Sequence, residues 1–288
     1  ELNDNFTATI TNSNNAKGDI LIPCSIEHQM NNYTITKIGQ YSFKSNTTIK
    51  SISFPDNSQI ISIDSEAFSL SSLCSISIPS HLRYIGARAF YQCLCLKAIS
   101  FSEESELQTI GKEAFSYSSL HQISIPKSVT QIEEGAFSEC RDLDKIEIPE
   151  NSELRIIEEK AFAFTSIESL FIPSKLIEIK EDWCIGIKKL NEIKISSTNK
   201  NFKIHSNKIL LFKSNQNETD FDCLLFSCRN IENLIIPSSI KQISSFAFSN
   251  CKKLNTIKFN EDSELEIIKD AAFSSSSLKF ILLPKKLN

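Results

Sequence analysis

Nine times along its 288 residues this chain places an isoleucine four positions ahead of an alanine–phenylalanine pair or a close variant. The isoleucines are Ile38, Ile63, Ile85, Ile110, Ile132, Ile157, Ile179, Ile243 and Ile268, spaced 25, 22, 25, 22, 25, 22, 64 and 25 residues apart. Ser42-Phe43 opens the series of pairs, Ala272-Phe273 closes it, and Trp183-Cys184 stands in the seventh place. Five or six residues after the Phe comes a second block of the form Leu-x-x-Ile-x-Ile-Pro, as at 73–79, 120–126 and 143–149. All eight prolines follow a large apolar residue. A fixed period of this length means that one small structural unit is used repeatedly.

Each block dictates its own local structure. Ile-x-Ile alternation with β-branched side chains reads as a short strand with one buried face. Proline at its exit ends the ladder, because it has no N–H to donate. The stretch after proline, as in Val129-Thr130-Gln131-Ile132, reads as a second short strand. The residues leading into Ala-Phe suit a 3₁₀ or single helical turn with Ala and Phe inside. One such unit offers about seven large apolar side chains, worth roughly 1.5–3 kcal/mol each when buried. Ordering its backbone costs roughly 1–2 kcal/mol per residue, so a lone unit does not fold. Stacked units cover each other's faces and share hydrogen-bonded ladders. The expected fold is therefore a solenoid of short parallel strands, a curved rod of nine to ten coils roughly 45–50 Å long at about 4.8 Å per coil.

The string Ile-x-x-x-Ala-Phe-x-x-Cys-x-x-Leu-x-x-Ile-x-Ile-Pro resembles the BspA-type (Treponema pallidum type) leucine-rich repeat of bacterial and protist surface proteins. The match covers about residues 35–195 and 231–284. Residues 1–34, with Ile20-Leu21-Ile22-Pro23, resemble the strand-rich amino-terminal cap of that family, and 196–230 resembles an irregular insert coil. The expected organisation is a cap (1–34), a first repeat block (35–195), an insert (196–230) and a second block (231–288) without a closing cap. The resemblance implies a cell-surface adhesin that binds host cell-surface or extracellular-matrix proteins. A chain opening at Glu1 without a leader and stopping in mid-pattern reads as an ectodomain fragment whose anchor lies elsewhere.

Composition limits the alternatives. With 31 Lys and Arg against 35 Asp and Glu the net charge is −4, which gathers neither phosphate backbones nor an anionic membrane. Only 6 glycines are present, too few for a repertoire of phosphate-cradling loops. No run of 18 apolar residues occurs. The nine cysteines include Cys93, Cys140 and Cys251, each three residues after a repeat Phe, where other coils carry Asn46, Ser71, Ser118, Thr165 or Ser276. That column reads as buried small side chains rather than bridges. Cys184, in the Phe column, reads as core, and Cys223 and Cys228 as the best candidates for a disulfide. No metal-ligand spacing, cofactor motif or hydrolase motif is present, so no catalytic, metal or cofactor residue is assigned. An enzymatic site built from His205 with Cys223 or Cys228 is the remote alternative. Sequons fall at Asn5, Asn32, Asn46 and Asn217. Asn46 sits in the inward column, which leaves Asn217 as the best glycan acceptor.

Between the buried anchors of the Ile-x-Ile strand, alternate residues face outward. This strip begins with Ser51, Ser53, Ser75, Ser77, Ser100, Gln122 and Ser124, small and uncharged. It continues with Lys145, Glu147, Phe171, Glu192, Lys194, Ile235 and Lys258, charged with apolar spots. An extended face without an enclosed pocket suits protein partners, with Phe171, Ile235 and Phe280 as anchors. The competing reading is a spacer or self-associating coat whose strip only keeps the sheet soluble.

Overall fold

The repeat anchors stand in two parallel ladders that run the length of a computed structural model, which describes residues 1–13, 15–214, 220–284 and 287. The first ladder joins Thr7–Ile10, Asn31–Ile38 and six two-residue strands, from Ser62–Ile63 to Glu178–Ile179, one per coil. Its sheet ends there, and three more strands, Cys223–Ser227, Gln242–Ile243 and Ile267–Ile268, take the same place in a separate sheet of the second block, making eleven turns in all. The expected nine to ten coils become eleven because residues before the first anchor and in the insert each add a turn. The second ladder holds the Ile-x-Ile strands in four pieces: Gly18–Leu21 with Ile49–Ser53, Ser75–Ile78 and Ala98–Phe101; Gln122–Ser124 with Lys145–Glu147; Ser169–Ile172 with Glu192–Ile195; and Asn233–Ile236 with Thr256–Phe259. In every piece isoleucine or leucine pairs with isoleucine on the inner face, as Ile123 with Ile146 and Leu234 with Ile257.

Between the ladders runs the phenylalanine spine. Rings of Phe43, Phe68, Phe90, Phe115, Phe137 and Phe162 stack with centroids 4.9–5.7 Å apart and planes within 11° of parallel. All six are fully or almost fully buried. Such offset contacts add roughly 0.5–1.5 kcal/mol each beyond the area they bury. At Trp183-Cys184 the large and small residues exchange columns. The indole meets Phe162 edge-on at 6.3 Å and leans on Phe226 at 5.5 Å.

The connection into Ala-Phe is not helical. Around Phe90, amides alternate between two destinations: Ala89, Tyr91 and Cys93 donate to carbonyls three residues back, while Arg88, Phe90 and Gln92 donate to Lys112, Ala114 and Ser116 of the next coil. Arg88 and Gln92 have φ of 56° and 54°, which breaks any helical run. The segment is a chain of β-turns that doubles as a third inter-coil ladder. Each left-handed non-glycine residue costs on the order of 1–2 kcal/mol, and the extra inter-coil hydrogen bonds offset it.

The insert replaces a coil by a meander. Phe202–His205, Ile209–Phe212 and Cys223–Ser227 pair antiparallel in sequence, and the last joins Gln242–Ile243 in parallel. The apolar core divides here. One cluster runs from the first coils to Phe226 and Cys228, and the other from Ile209 and Leu224 onward. Arg229, 4% exposed, spans the seam. Its Nε donates to Ile187 O (3.2 Å), its Nη1 to Ser227 O (3.2 Å) and Ala247 O (2.9 Å), and its guanidinium lies 4.2 Å from the Phe226 ring centroid. Among the described residues no helix is long and apolar enough to cross a membrane.

Candidate functional site

The outward residues of the second ladder form the strip that alternation predicts. Ser53, Ser75, Ser77, Ser100, Gln122, Ser124, Lys145, Glu147, Glu192, Lys194, Ile235 and Lys258 are exposed, and Ser51 is half-buried. Register aligns them coil on coil: Ser51 beside Ser75, Ser77 beside Ser100, Gln122 beside Lys145, Ile235 beside Lys258. Phe171 differs from expectation. It is half-buried and packs against the main core, so its ring is not a free anchor. Ile235, at 56% exposure, and Phe280, at 77%, are the named anchors that do face water.

Much of the strip's polarity is used internally. Ser51 Oγ donates to Asp19 (2.6 Å) and Ser124 Oγ to Glu147 (2.6 Å). Lys145 pairs with Glu147 at 2.6 Å and Lys194 with Glu192 at 3.3 Å. Hydrogen bonds from Lys145 and then Ser124 hold the Glu147 carboxyl below its ordinary value. The strip acquires relief where the insert rises beside Glu192 and Lys194. There a groove of about 710 Å³ is lined by both residues together with Asn199, Lys203, Asn207 and Lys208. Sequence reasoning missed the last four because the meander is invisible in a repeat alignment. The alternating stretch 202–212 was the available signal.

The cysteine column lies where the repeat puts it. Cys93, Cys140 and Cys251 are buried and unbridged; the Cys93 and Cys140 thiols donate to the carbonyls of Phe68 and Phe115, both at 3.0 Å. Burial pushes both thiols up to about 12. Cys223 and Cys228, the best candidates for a bridge, are both free. Cys223 begins an extended strand and Cys228 follows its end, so their Cα atoms stand roughly 16 Å apart, far beyond disulfide reach. Burial also raises these thiols, to about 12 and about 11. His205 sits two strands away from that strand, with Ile209–Phe212 between, so the arrangement offers no thiolate–imidazole pair. Asn46 has both amide hydrogens engaged, on Ser13 O and Ala16 O (3.0 Å each), and its Oδ1 accepts from the Ile49 amide. Asn217 lies outside the described residues.

The model of the "BspA type Leucine rich repeat region" matches in six copies over residues 21–126, 100–209 and 219–288. The chain belongs to the BspA-type leucine-rich repeat family. It is similar to a leucine rich cell surface protein of Faecalibacterium prausnitzii, with 26% identity and a TM-score of 0.77, over 93% of this chain and 73% of that one. The pneumococcal vaccine antigen PcpA shares the fold at 24% identity and a TM-score of 0.71, over 94% of this chain and 61% of that one. A leucine-rich repeat protein of Eubacterium ventriosum does so at 20% and 0.57, over 99% and 63%. No curated protein sequence matches.

This BspA-type chain also carries an exposed edge that repeat alignment does not reveal. Tyr41, Leu70, Leu94 and Tyr117, all 42–67% exposed, mark the turn edge of the first block. Tyr91 and Tyr117 meet edge-on at 5.8 Å, and Arg88 lies over Tyr91. Tyr41 directly precedes the Ser42-Phe43 pair, and Leu70 and Tyr117 each stand two residues after a repeat Phe.

Proposed function

We infer that this chain is a non-enzymatic extracellular recognition module, a cell-surface adhesin of the BspA type whose exposed strand face binds protein partners such as host cell-surface or extracellular-matrix proteins. The observation that carries this reading is the strip itself. It is a long, ordered, solvent-facing row of side chains on a rigid ladder, with a groove where the insert meets Glu192 and Lys194. Rigid display lowers the entropy lost on binding. Membership of the family and likeness to a protein described as a cell surface protein support the location. The solenoid offers extended area rather than an enclosed pocket, which favours recognition over catalysis.

Binding of the purified chain to epithelial cells and to immobilised matrix proteins tests the reading. Ile235→Asp combined with Lys194→Glu reduces retention at least tenfold if the strip is the contact surface. Unchanged retention by the folded variant removes the strip from the account. The internal pairing of Lys145 with Glu147 and Lys194 with Glu192 favours a second reading, a spacer or self-associating coat. Sedimentation velocity separates the two: a mass that rises with concentration and falls with Ile235→Asp supports self-association.

A further inference from the structure

The seam between the two repeat blocks leaves a groove of about 600 Å³ on the turn edge, opposite in kind to the strand strip. In the regular coils the residue three places after the Ala position is left-handed and completes the turn: Phe164, Gly186, Asn250 and Ser275 all have positive φ. In the insert that place is taken by Arg229, whose side chain is buried across the seam instead of building the edge. The groove lies between the turns on either side.

Its chemistry has three parts. Arg141, Lys188 and Lys189 line it, and no carboxylate does. Arg141 shares its charge with Glu139 at 2.9 Å, whereas Lys188 and Lys189 are exposed and make no ion pair among the described residues. One wall is the ring of Phe164, 45% exposed, lying against Gly186. A Cβ on Gly186 would come within 2.3 Å of that ring, so glycine is required for it to lie there. The third part is hydroxyl-rich: Asn250, Ser274 and Ser249 line the groove, and Ser249, only 2% exposed, has a hydroxyl with no hydrogen-bond partner. Of the three buried serines whose hydroxyls lack a partner, Ser42, Ser244 and Ser249, Ser249 is the one that lines this groove, where its hydroxyl is free to bond a ligand.

We propose that this groove binds an anionic saccharide, a sugar bearing a carboxylate or sulfate. The exposed ring fits the C–H face of a pyranose. Hydroxyl and amide groups pair with its hydroxyls, and the two unpaired lysines take its charge. The volume suits a unit of one to three sugars, within the usual range of about 300–1,000 Å³ for small-ligand sites.

Saturation-transfer NMR and titration calorimetry with 3′-sialyllactose, a hyaluronan tetrasaccharide and a heparin tetrasaccharide test the assignment and separate carboxylate from sulfate. Lactose and a tetraglutamate peptide serve as controls. At least one anionic sugar binds ten or more times tighter than lactose. Lys188→Glu with Lys189→Glu weakens it at least tenfold, and Ser249→Ala weakens it severalfold without lowering Tm. The remote Lys97→Glu leaves binding unchanged. Absence of binding by all three sugars, indifference to the lysine reversal, or equal binding of tetraglutamate overturns the proposal. Ile235→Asp leaves sugar binding intact, so this site and the strand face fail independently.

Discussion

Cys93 and Cys140 show how much one column position decides. Each thiol is sealed between coils, donates to the carbonyl of the preceding coil's Phe, and sits beside Ser71 or Ser118, which hold the same place in shorter coils. Serine is therefore a tolerated occupant, and Cys93→Ser costs less than about 1.5 kcal/mol in urea denaturation. Burial raises the Cys93, Cys140, Cys184 and Cys223 thiols to about 12, against an ordinary value of 9.0. The folded chain thus holds these protons where the unfolded chain releases them. Stability is complete below pH 9 and falls between pH 9 and 12, by up to about 1.4 kcal/mol per pH unit for each thiol. Urea midpoints measured from pH 8 to 10.5 check this, and the slope becomes shallower in Cys93→Ser with Cys140→Ser. In native protein a thiol reagent modifies Cys24, Cys74 and Cys95 and spares the six buried thiols; in denaturant it modifies all nine. Fast modification of more than three in the native state contradicts the packing.

The turn, the strand and the insert differ in how far sequence discloses them. The strand is legible because Ile-x-Ile fixes which face is buried, and every outward residue except Phe171 and Ser51 is exposed. Phe171 misleads because alternation gives a direction, not the depth of the neighbours; its ring is half-buried against the main core. The turn reads as helical in sequence because its left-handed places hold Glu66, Arg88 and Tyr117 rather than glycine. A scarcity of glycine did not mean a scarcity of left-handed backbone. The insert was least legible, since its fully buried strand Cys223–Ser227 shows no alternation and Arg229 reads as a surface charge. At this scale two substitutions are informative. Phe115→Ala removes a ring stacked on both sides and costs about 3–5 kcal/mol. Arg229→Leu strips donors from Ile187 O, Ser227 O and Ala247 O and uncouples the two core clusters. Calorimetry then shows two transitions in place of one; a single unshifted transition rules out the seam role.

As a whole molecule the chain is a one-dimensional stack, in which each coil is stabilised by its neighbours and the surface inherits the period of the core. The strand face and the turn-edge groove follow from that single architecture, one from regular coils and the other from the coil that departs from them. The pulsed-EPR distance between spin labels at Ser75 and Glu192 tests the stacking most directly, with Cys24, Cys74 and Cys95 changed to Ser. The two sites hold the same strip position five coils apart, so the account predicts a narrow distribution centred at about 24 Å, widened only by the label arms. A broad distribution, or one centred beyond about 40 Å, contradicts a rod of coils in register.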